Sequence, residues 1–427
     1  MPNLEKNKQI KEKCAQTKLR HKSMRCRVYE IKVKDNKLNS SQKETLERYF
    51  LCSKWIYNYI ISNIPNKFEF NYHDHPIITH KDKDGNDVEI KVSDYLPAQF
   101  YQRIPTQIQS SIKTLSSLKK KGIKVGKLKC KSSCNCISIN QYKTGYQLYP
   151  SCNSIHIAGI KKDIKVSGLK QIPIDAELCN AKLFRNASGY FLKVTTFEPI
   201  ISKPSTDKSV GIDMNISNTL TTSDGKVIDK IFVEEIERMK RLQRHNLKCK
   251  QKGSNNRYKL NKQIKKYYEK LSNRKNDISN KIVHGLLEQY DEIYIQDEML
   301  ANWHKQKLCS KTIQHSCLGR IKSKLRQSSK VFMIDKKYAT TKLCSCCGHK
   351  QDISLNEREY ICPNCGLDIK RDINSALNIL QIGQKLKNNI GTEHTDFKPV
   401  EIHTSSDVGN NIPKAKYESM NQEAITF

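Results

Sequence analysis

Four cysteines stand as two Cys-x-x-Cys pairs, Cys344 with Cys347 and Cys362 with Cys365, with fourteen residues between the pairs. Each pair lies in a turn sequence, CSCCG or CPNCG. Zn²⁺ takes four soft ligands in a tetrahedron, and each such knuckle supplies two of them. Gly348 and Gly366 follow the pairs, where they permit the turn and let backbone N–H groups approach sulfur. No position is left for water, so the spacing predicts a structural zinc rather than a catalytic one. A cluster of free thiols is the plainer reading, and the repeated Cys-Gly pattern speaks against it. Cys346 fits the knuckle spacing less well. Two carboxylates offer a different chemistry. Asp213 ends the apolar run SVGID, and Asp372 opens the helical run RDINSALNIL. Mg²⁺ is a hard ion that takes oxygen ligands. Two such ions held by about three carboxylates activate a water and stabilise a leaving oxygen. Taken singly, Asp213 also suits a strand-end turn, and Asp372 suits the positive end of a helix macrodipole.

These residues need elements to position them. RCRVYEIKV (25–33) alternates and predicts a strand. Ser41 with Glu44 three residues on predicts a capping box opening a helix through Leu46, Phe50, Trp55 and Tyr59. Residues 64–95 read as irregular, and a second helix runs over about 97–120. From 137 to 198, short alternating runs with Gly and Asn turns predict a small barrel or sandwich. Residues 199–209 form a linker. Beyond it the order is strand, hairpin around Ser223-Asp224-Gly225, two basic helices broken near Gly253, strand (EIYIQDEML), helix near 312–327, strand (KVFMID), then the cysteine segment and a last helix. That order suits a three-layer domain of the RNase H type, in which acids come from the first strand, a later strand and the final helix.

The chain has 427 residues, with 76 Lys+Arg against 43 Asp+Glu, a net charge of +33. Its mean hydropathy is −0.69. No apolar run is long enough for a membrane helix, and the polar start predicts no secretory signal. Such a positive charge repels itself unless a polyanion neutralises it, which points to nucleic acid. The densest stretch includes Arg238, Lys240, Arg241, Arg244, Lys248, Lys250, Lys252, Lys262, Lys265, Lys266, Lys270 and Arg274, with Tyr258, Tyr267 and Tyr268 interleaved. Glu237 and Glu269 are nearly its only acids, whereas an ordinary solvated helix face mixes signs. Phosphate neutralisation and base stacking explain it better. A second strip runs through Lys119, Lys124 and Lys129. Of the sixteen cysteines, eight are single, including Cys309, which suits a reducing compartment. Cys130, Cys134 and Cys136 have no partner pair and no assigned role.

GIDMNISNTLTTSDG, IYIQDEM and the two Cys pairs followed by RDINSALNI resemble the split RuvC nuclease, with inserted zinc finger, of the TnpB proteins of bacterial transposons. The eukaryotic and viral Fanzor proteins share the pattern, and type V CRISPR effectors are more distant. RCRVYEIKV and SKWIYNYII resemble the start of TnpB, so the resemblance covers about residues 24–400. It implies an α/β RNase H-like (RuvC) nuclease domain with a zinc-finger insertion, preceded by a wedge-like β-barrel carrying a helical recognition insertion. The expected bounds are a basic, mobile N-terminal arm (1–23), the barrel (24–203, insertion about 40–125), the nuclease domain (204–395, zinc finger about 340–368) and a flexible tail (396–427). The implied activity is RNA-guided, Mg²⁺-dependent DNA cleavage. Guide RNA comes from the element's end, pairing reads the target and the protein reads a short adjacent motif. The implied location is intracellular: nucleus in a eukaryotic or viral setting, cytoplasm or nucleoid in a bacterium.

One position departs from the pattern. The family's second acid is replaced by Gln296, which has no charge to hold Mg²⁺. The resemblance offers three readings. Glu359, three residues before Cys362, takes the role from the zinc segment, giving a catalytic set of Asp213, Glu359 and Asp372. Alternatively the nuclease is inactive, and the protein is an RNA-guided DNA binder. In the third, Glu298 serves, being two residues past Gln296 and so on the same face of a continuing strand, with Asp297 on the other.

Overall fold

The structure, a computed structural model, describes residues 2–70, 77–81, 87–200, 204–215, 219–229, 231, 233, 237–249, 251, 253–305, 315–354 and 357–389. The tail at 396–427, Cys309, Lys250 and Lys252 lie outside the described residues, as does the side chain of Arg238. The chain divides into two compact units, Met1–Ser202 and Lys203–Phe427.

The first unit opens with helix α1 (Pro2–Lys22), where a mobile arm was expected. Proline at the first helical position and a run of Lys, Glu and Gln are favourable for helix, a preference that the segment's polarity masks. Strand β1 (Met24–Val33) follows. Helix α2 (Ser40–Asn63) is capped by Asn39 with Gln42 in a reciprocal box, not by Ser41 with Glu44. It buries Leu46, Phe50, Ile56 and Ile60 on one face. The segment read as irregular contains a hairpin, β2 (Ile77–Lys81) with β3 (Asp87–Lys91). Then come α3 (Ala98–Tyr101), α4 (Arg103–Lys120), β4 (Cys136–Ile139), β5 (Tyr146–Tyr149), β6 (Ser154–Ile157), β7 (Ile164–Ser167), β8 (Glu177–Asn186) and β9 (Gly189–Pro199). They form one sheet in the order β4-β8-β9-β1-β7-β6-β5. The two outer strands, β4 and β5, are consecutive in the chain, and the sheet forms a near-closed barrel.

The second unit is built on β10 (Ser209–Met214), β11 (Leu220–Thr222), β12 (Val227–Ile228), α5 (Glu237–Cys249), α6 (Asn255–Gln289), β13 (Glu292–Gln296), α7 (Leu300–Lys305), α8 (Leu318–Leu325), β14 (Val331–Ile334), β15 (Glu359–Ile361), β16 (Asp368–Lys370) and α9 (Arg371–Asn389). The sheet order is β12-β11-β10-β13-β14, with β10, β13 and β14 parallel and the hairpin strands antiparallel. Strand alternation assigns the faces. Val210, Ile212, Ile293 and Ile295 point toward α6 and α8 and share a core with Leu271, Ile282, Ile321 and Leu325. Tyr294 and Ile334 point the other way, onto Ile379 of α9. Two glycines let α9 lie flat. A Cβ at Gly211 would sit 2.1 Å from the Ala376 carbonyl, and one at Gly383 would sit 2.1 Å from the Tyr294 ring. The result is three layers, with α9 clamped across β10 and β13.

Candidate metal centres and the basic face

Because β10 alternates, Asp213 points to the same side as Gly211, the side that α9 covers. The Ser375 hydroxyl of α9 lies 3.1 Å from Asp213 Oδ1. Asp372, on the first turn of α9, is half-buried and has Arg371 at 3.5 Å. Burial first, and then the charge of Asp372, raise Asp213 to about 7; Glu298 adds to this, while Ser375 and Arg371 oppose it. Two carboxylates in this relation are the state that a divalent cation relieves. The residues therefore fit a hard metal ion.

Gln296 stands level with Asp213, one step beyond the Ile212–Ile295 pair of the parallel register. It is buried, and every polar atom is engaged. Its Nε2 donates to the Tyr338 carbonyl at 2.7 Å and faces that of Asp335 at 3.4 Å, and its Oε1 accepts from Thr340 Oγ1 at 3.0 Å. Thr340 in turn lies 3.2 Å from Ser375 Oγ. Ser375 has one proton for two neighbours, Asp213 and Thr340. All three links close at once when Asp213 carries a proton and the hydroxyls donate in sequence toward Gln296. The pocket is thus made for an amide. A carboxylate at 296 would turn an acceptor toward two carbonyl oxygens. We expect Gln296→Glu to cost about 1–3 kcal/mol of stability. Calorimetry checks this, and an equally stable variant would refute it.

Glu298 is not on a strand. β13 ends at Gln296, and the Glu298 N–H donates to the Gln296 carbonyl at 2.9 Å in a turn before α7, so the same-face argument fails. Glu298 is nevertheless close enough to raise Asp213. Burial raises Glu298 itself, against the pull of Lys322 and Lys336. Lys322, which sequence reasoning passed over, pairs with Asp297 at 2.6 Å and donates to the Glu298 carbonyl. Glu359 begins β15, is exposed, and has Lys370 as its cross-strand partner, two residues before Asp372.

Cys344, Cys347, Cys362 and Cys365 bring their sulfurs within 4.8 Å of one another, with the Cys344–Cys365 and Cys347–Cys362 pairs at 3.6 Å. The two knuckles repeat one geometry. Gly348 and Gly366 have φ of +74° and +68°, and each donates its N–H to the backbone carbonyl of the first cysteine of its pair at 2.9 Å, not to sulfur. Burial works against ionisation of Cys347, but Asn364 and the His349 N–H bring it down to about 7. This is a four-cysteine cluster fit for structural zinc. Cys346 is exposed and outside it, and Cys130, Cys134 and Cys136 form no metal cluster among the described residues. A polar stripe on α9, unnoticed in the sequence, ties the knuckle to the acids. Asn374 accepts from Ser345 N–H and donates to the Leu343 carbonyl; Asn378 donates to the carbonyls of Thr340 and Leu343; Gln381 donates to that of Ser345.

α5 and α6 form an antiparallel pair joined by Asn246–Asn261 and Gln243–Tyr268 hydrogen bonds. Ser254 caps α6. Leu260, Ile264 and Leu271 face inward, while Arg241, Arg244, Lys248, Lys262, Lys265, Lys266, Lys270 and Arg274 lie on the outer faces, exposed or half-exposed. Lys240 is half-buried. Tyr258 is 70% exposed and available to stack, whereas Tyr267 packs on the core. No described helix is long and apolar enough to cross a membrane.

Comparison with known proteins bears on this arrangement. Residues 192–305 match the OrfB_IS605 family, described as "Probable transposase", and residues 318–379 match the "Cas12f1-like, TNB domain" family. A "Putative RNA-guided DNA endonuclease" of Streptomyces pristinaespiralis is 26% identical over 53% of this chain and 58% of its own length. A TnpB-like protein of Acanthamoeba polyphaga mimivirus is 28% identical over 47% of this chain and 38% of its own. The chain thus spans about half or less of the length of these relatives. The cryo-EM structure of a Cas12f1–sgRNA–target DNA complex aligns over 83% of this chain and 99% of that one at 13% identity, with a TM-score of only 0.26.

Proposed function

The chain belongs to the TnpB family, and from that premise we propose that it is an RNA-guided, Mg²⁺-dependent DNA endonuclease of a transposable element. The observation that carries the proposal is the 3.1 Å contact of Asp213, on the first strand of the nuclease unit, with Ser375 of its last helix, the helix whose first turn carries Asp372 three residues earlier on the same face. The strand order, with three parallel strands beside an antiparallel hairpin, supports an RNase H-like (RuvC) reading of that unit. Asp213 and Asp372 would hold the ions, which supply an activated water and charge stabilisation at the leaving oxygen. Ser375 orients Asp213, and the buried Gln296–Thr340 pair holds Ser375. The basic face of α5 and α6 would carry nucleic-acid phosphates, with guide RNA and target DNA as partners. The site of action would be intracellular, where such nucleic acids are.

For the third carboxylate, half-burial and its effect on Asp213 favour Glu298 over the exposed Glu359. The test is cleavage of a matched target beside a randomised motif by the protein co-expressed with RNA from its gene's 3′ flank. Glu298→Ala is expected to lose roughly 10²-fold or more, about 3 kcal/mol of barrier, and Glu359→Ala little. The reverse pattern would move the third acid to Glu359 and the zinc hairpin. Guide-dependent binding without cutting in the parent protein would favour a second reading, a nuclease-inactive RNA-guided DNA binder. That reading rests on Gln296 and its fully hydrogen-bonded amide.

A further inference from the structure

In the N-terminal unit, three ligand-type side chains converge on one point of the barrel. His21 lies in the last turn of α1, and Glu177 and Cys179 lie on β8. One ligand atom from each is within 4.8 Å of the others. Strand register builds the place: Phe197 of β9 is paired with Glu177 on one side and with Cys26 of β1 on the other. The His21 ring lies flat on Phe197, centroids 3.7 Å apart and planes within 7°, which fixes the direction of its nitrogens.

His21 Nε2 is buried and 3.1 Å from Glu177 Oε1, yet it makes no hydrogen bond. Two light ligand atoms each about 2.0–2.1 Å from one ion in a tetrahedron lie about 3.3–3.4 Å apart, so the separation is close to that of co-ligands. The four-cysteine cluster behaves alike, with sulfurs 3.6 Å apart against about 3.8 Å for two at 2.3 Å from zinc. Arg20 donates to the other carboxylate oxygen, Oε2, at 2.7 Å, leaving Oε1 turned to His21; such outer hydrogen bonds orient metal ligands. Cys26 stands in register with Phe197 on the side of that residue opposite Glu177. A simple ion pair of protonated His21 with Glu177 explains the short distance, but neither the missing hydrogen bond nor the thiol at the same point.

We infer that His21, Glu177 and Cys179 form a second metal site, distinct from the four-cysteine cluster, for a borderline divalent ion such as Zn²⁺. Imidazole nitrogen, carboxylate oxygen and thiolate sulfur are the ligands, and the fourth position is open to water or Cys26. The ion would pin the end of α1 to β8.

The test is zinc per chain by mass spectrometry on the untagged full-length protein, saturated with Zn²⁺ and desalted. Two ions are expected in the parent, and one in each of His21→Ala, Cys179→Ser and Cys362→Ser. One ion in the parent, or two persisting in both His21→Ala and Cys179→Ser, would overturn the site. Trypsin cleavage within α1 gives a readout independent of stoichiometry. Stripping metal from the parent is expected to speed it about fivefold or more, with no metal dependence in His21→Ala. Equal rates in metal-loaded and stripped parent would also overturn it.

Discussion

Asp213→Asn is expected to abolish cleavage while sparing guide and target binding. The amide keeps the shape of the carboxylate and its contact with Ser375 but removes the charge that would hold a metal. A loss of roughly 10³-fold or more corresponds to about 4 kcal/mol of transition-state stabilisation. Gel-shift and cleavage assays on one preparation check it, and retained cutting would remove Asp213 from the metal site. The same substitution is expected to stabilise the metal-free protein. Asp213 is held at about 7 when folded, by burial and then by Asp372. Unfolded, it titrates near the ordinary value of about 3.9. Between these values the folded state binds more protons, so the parent loses stability as pH rises from about 4 through 7. Asparagine carries no such penalty, so the gain in Tm, roughly 2–6 °C, should be fully developed above pH 7 and vanish near pH 4. A gain independent of pH would mean that Asp213 is not the source.

Cys362→Ser should release the zinc of the four-cysteine cluster and, with it, the anchorage of α9. Removing one of four thiolates leaves three that repel one another when ionised, and structural zinc in small domains contributes about 10–16 kcal/mol to folding. The disturbance need not stay local. Asn374, Asn378 and Gln381 bond the backbone of 340–345, on which Cys344 sits, and the same helix carries Asp372 and Ser375. Cleavage is expected to fall by roughly 10²-fold or more, as misplacement of a metal-holding group by about 1 Å does. Hydrogen exchange should rise across 340–389 and stay unchanged over the first unit. Full activity with zinc lost would show that the knuckle does not position the acids.

Much of this was legible in the chain. The Cys-x-x-Cys spacing is a local pattern, and so is the apolar run that places Asp213 at a strand end and Asp372 at a helix start. What escaped was tertiary. Gln296 can be seen as a missing acid from sequence, but the carbonyls of Asp335 and Tyr338 that receive its amide come from a loop with no periodicity to announce it. The expectation for Glu298 assumed that β13 continues, whereas it stops at Gln296 and the chain turns into α7. α1 was hidden because a polar helix carries no apolar stripe. The buried polar stripe of α9 had a signal, Asn374 and Asn378 four residues apart and interleaved with the apolar Ile373, Ala376, Leu377 and Ile379, and the spacing i, i+4 marks one face.

The clamp of α9 over β10 also sets an order of assembly. Asp213 and Ser375 are 162 residues apart in the chain. Closing a loop of that length is entropically costly and slow, and local elements form first. The basic hairpin of α5 and α6 can therefore fold well before α9 seats on Gly211. During that interval the chain offers its cationic face to polyanions while its two acids remain apart. If the proposed function holds, a chain at that stage would bind nucleic acid without cutting it, and cleavage would begin only with the last docking step.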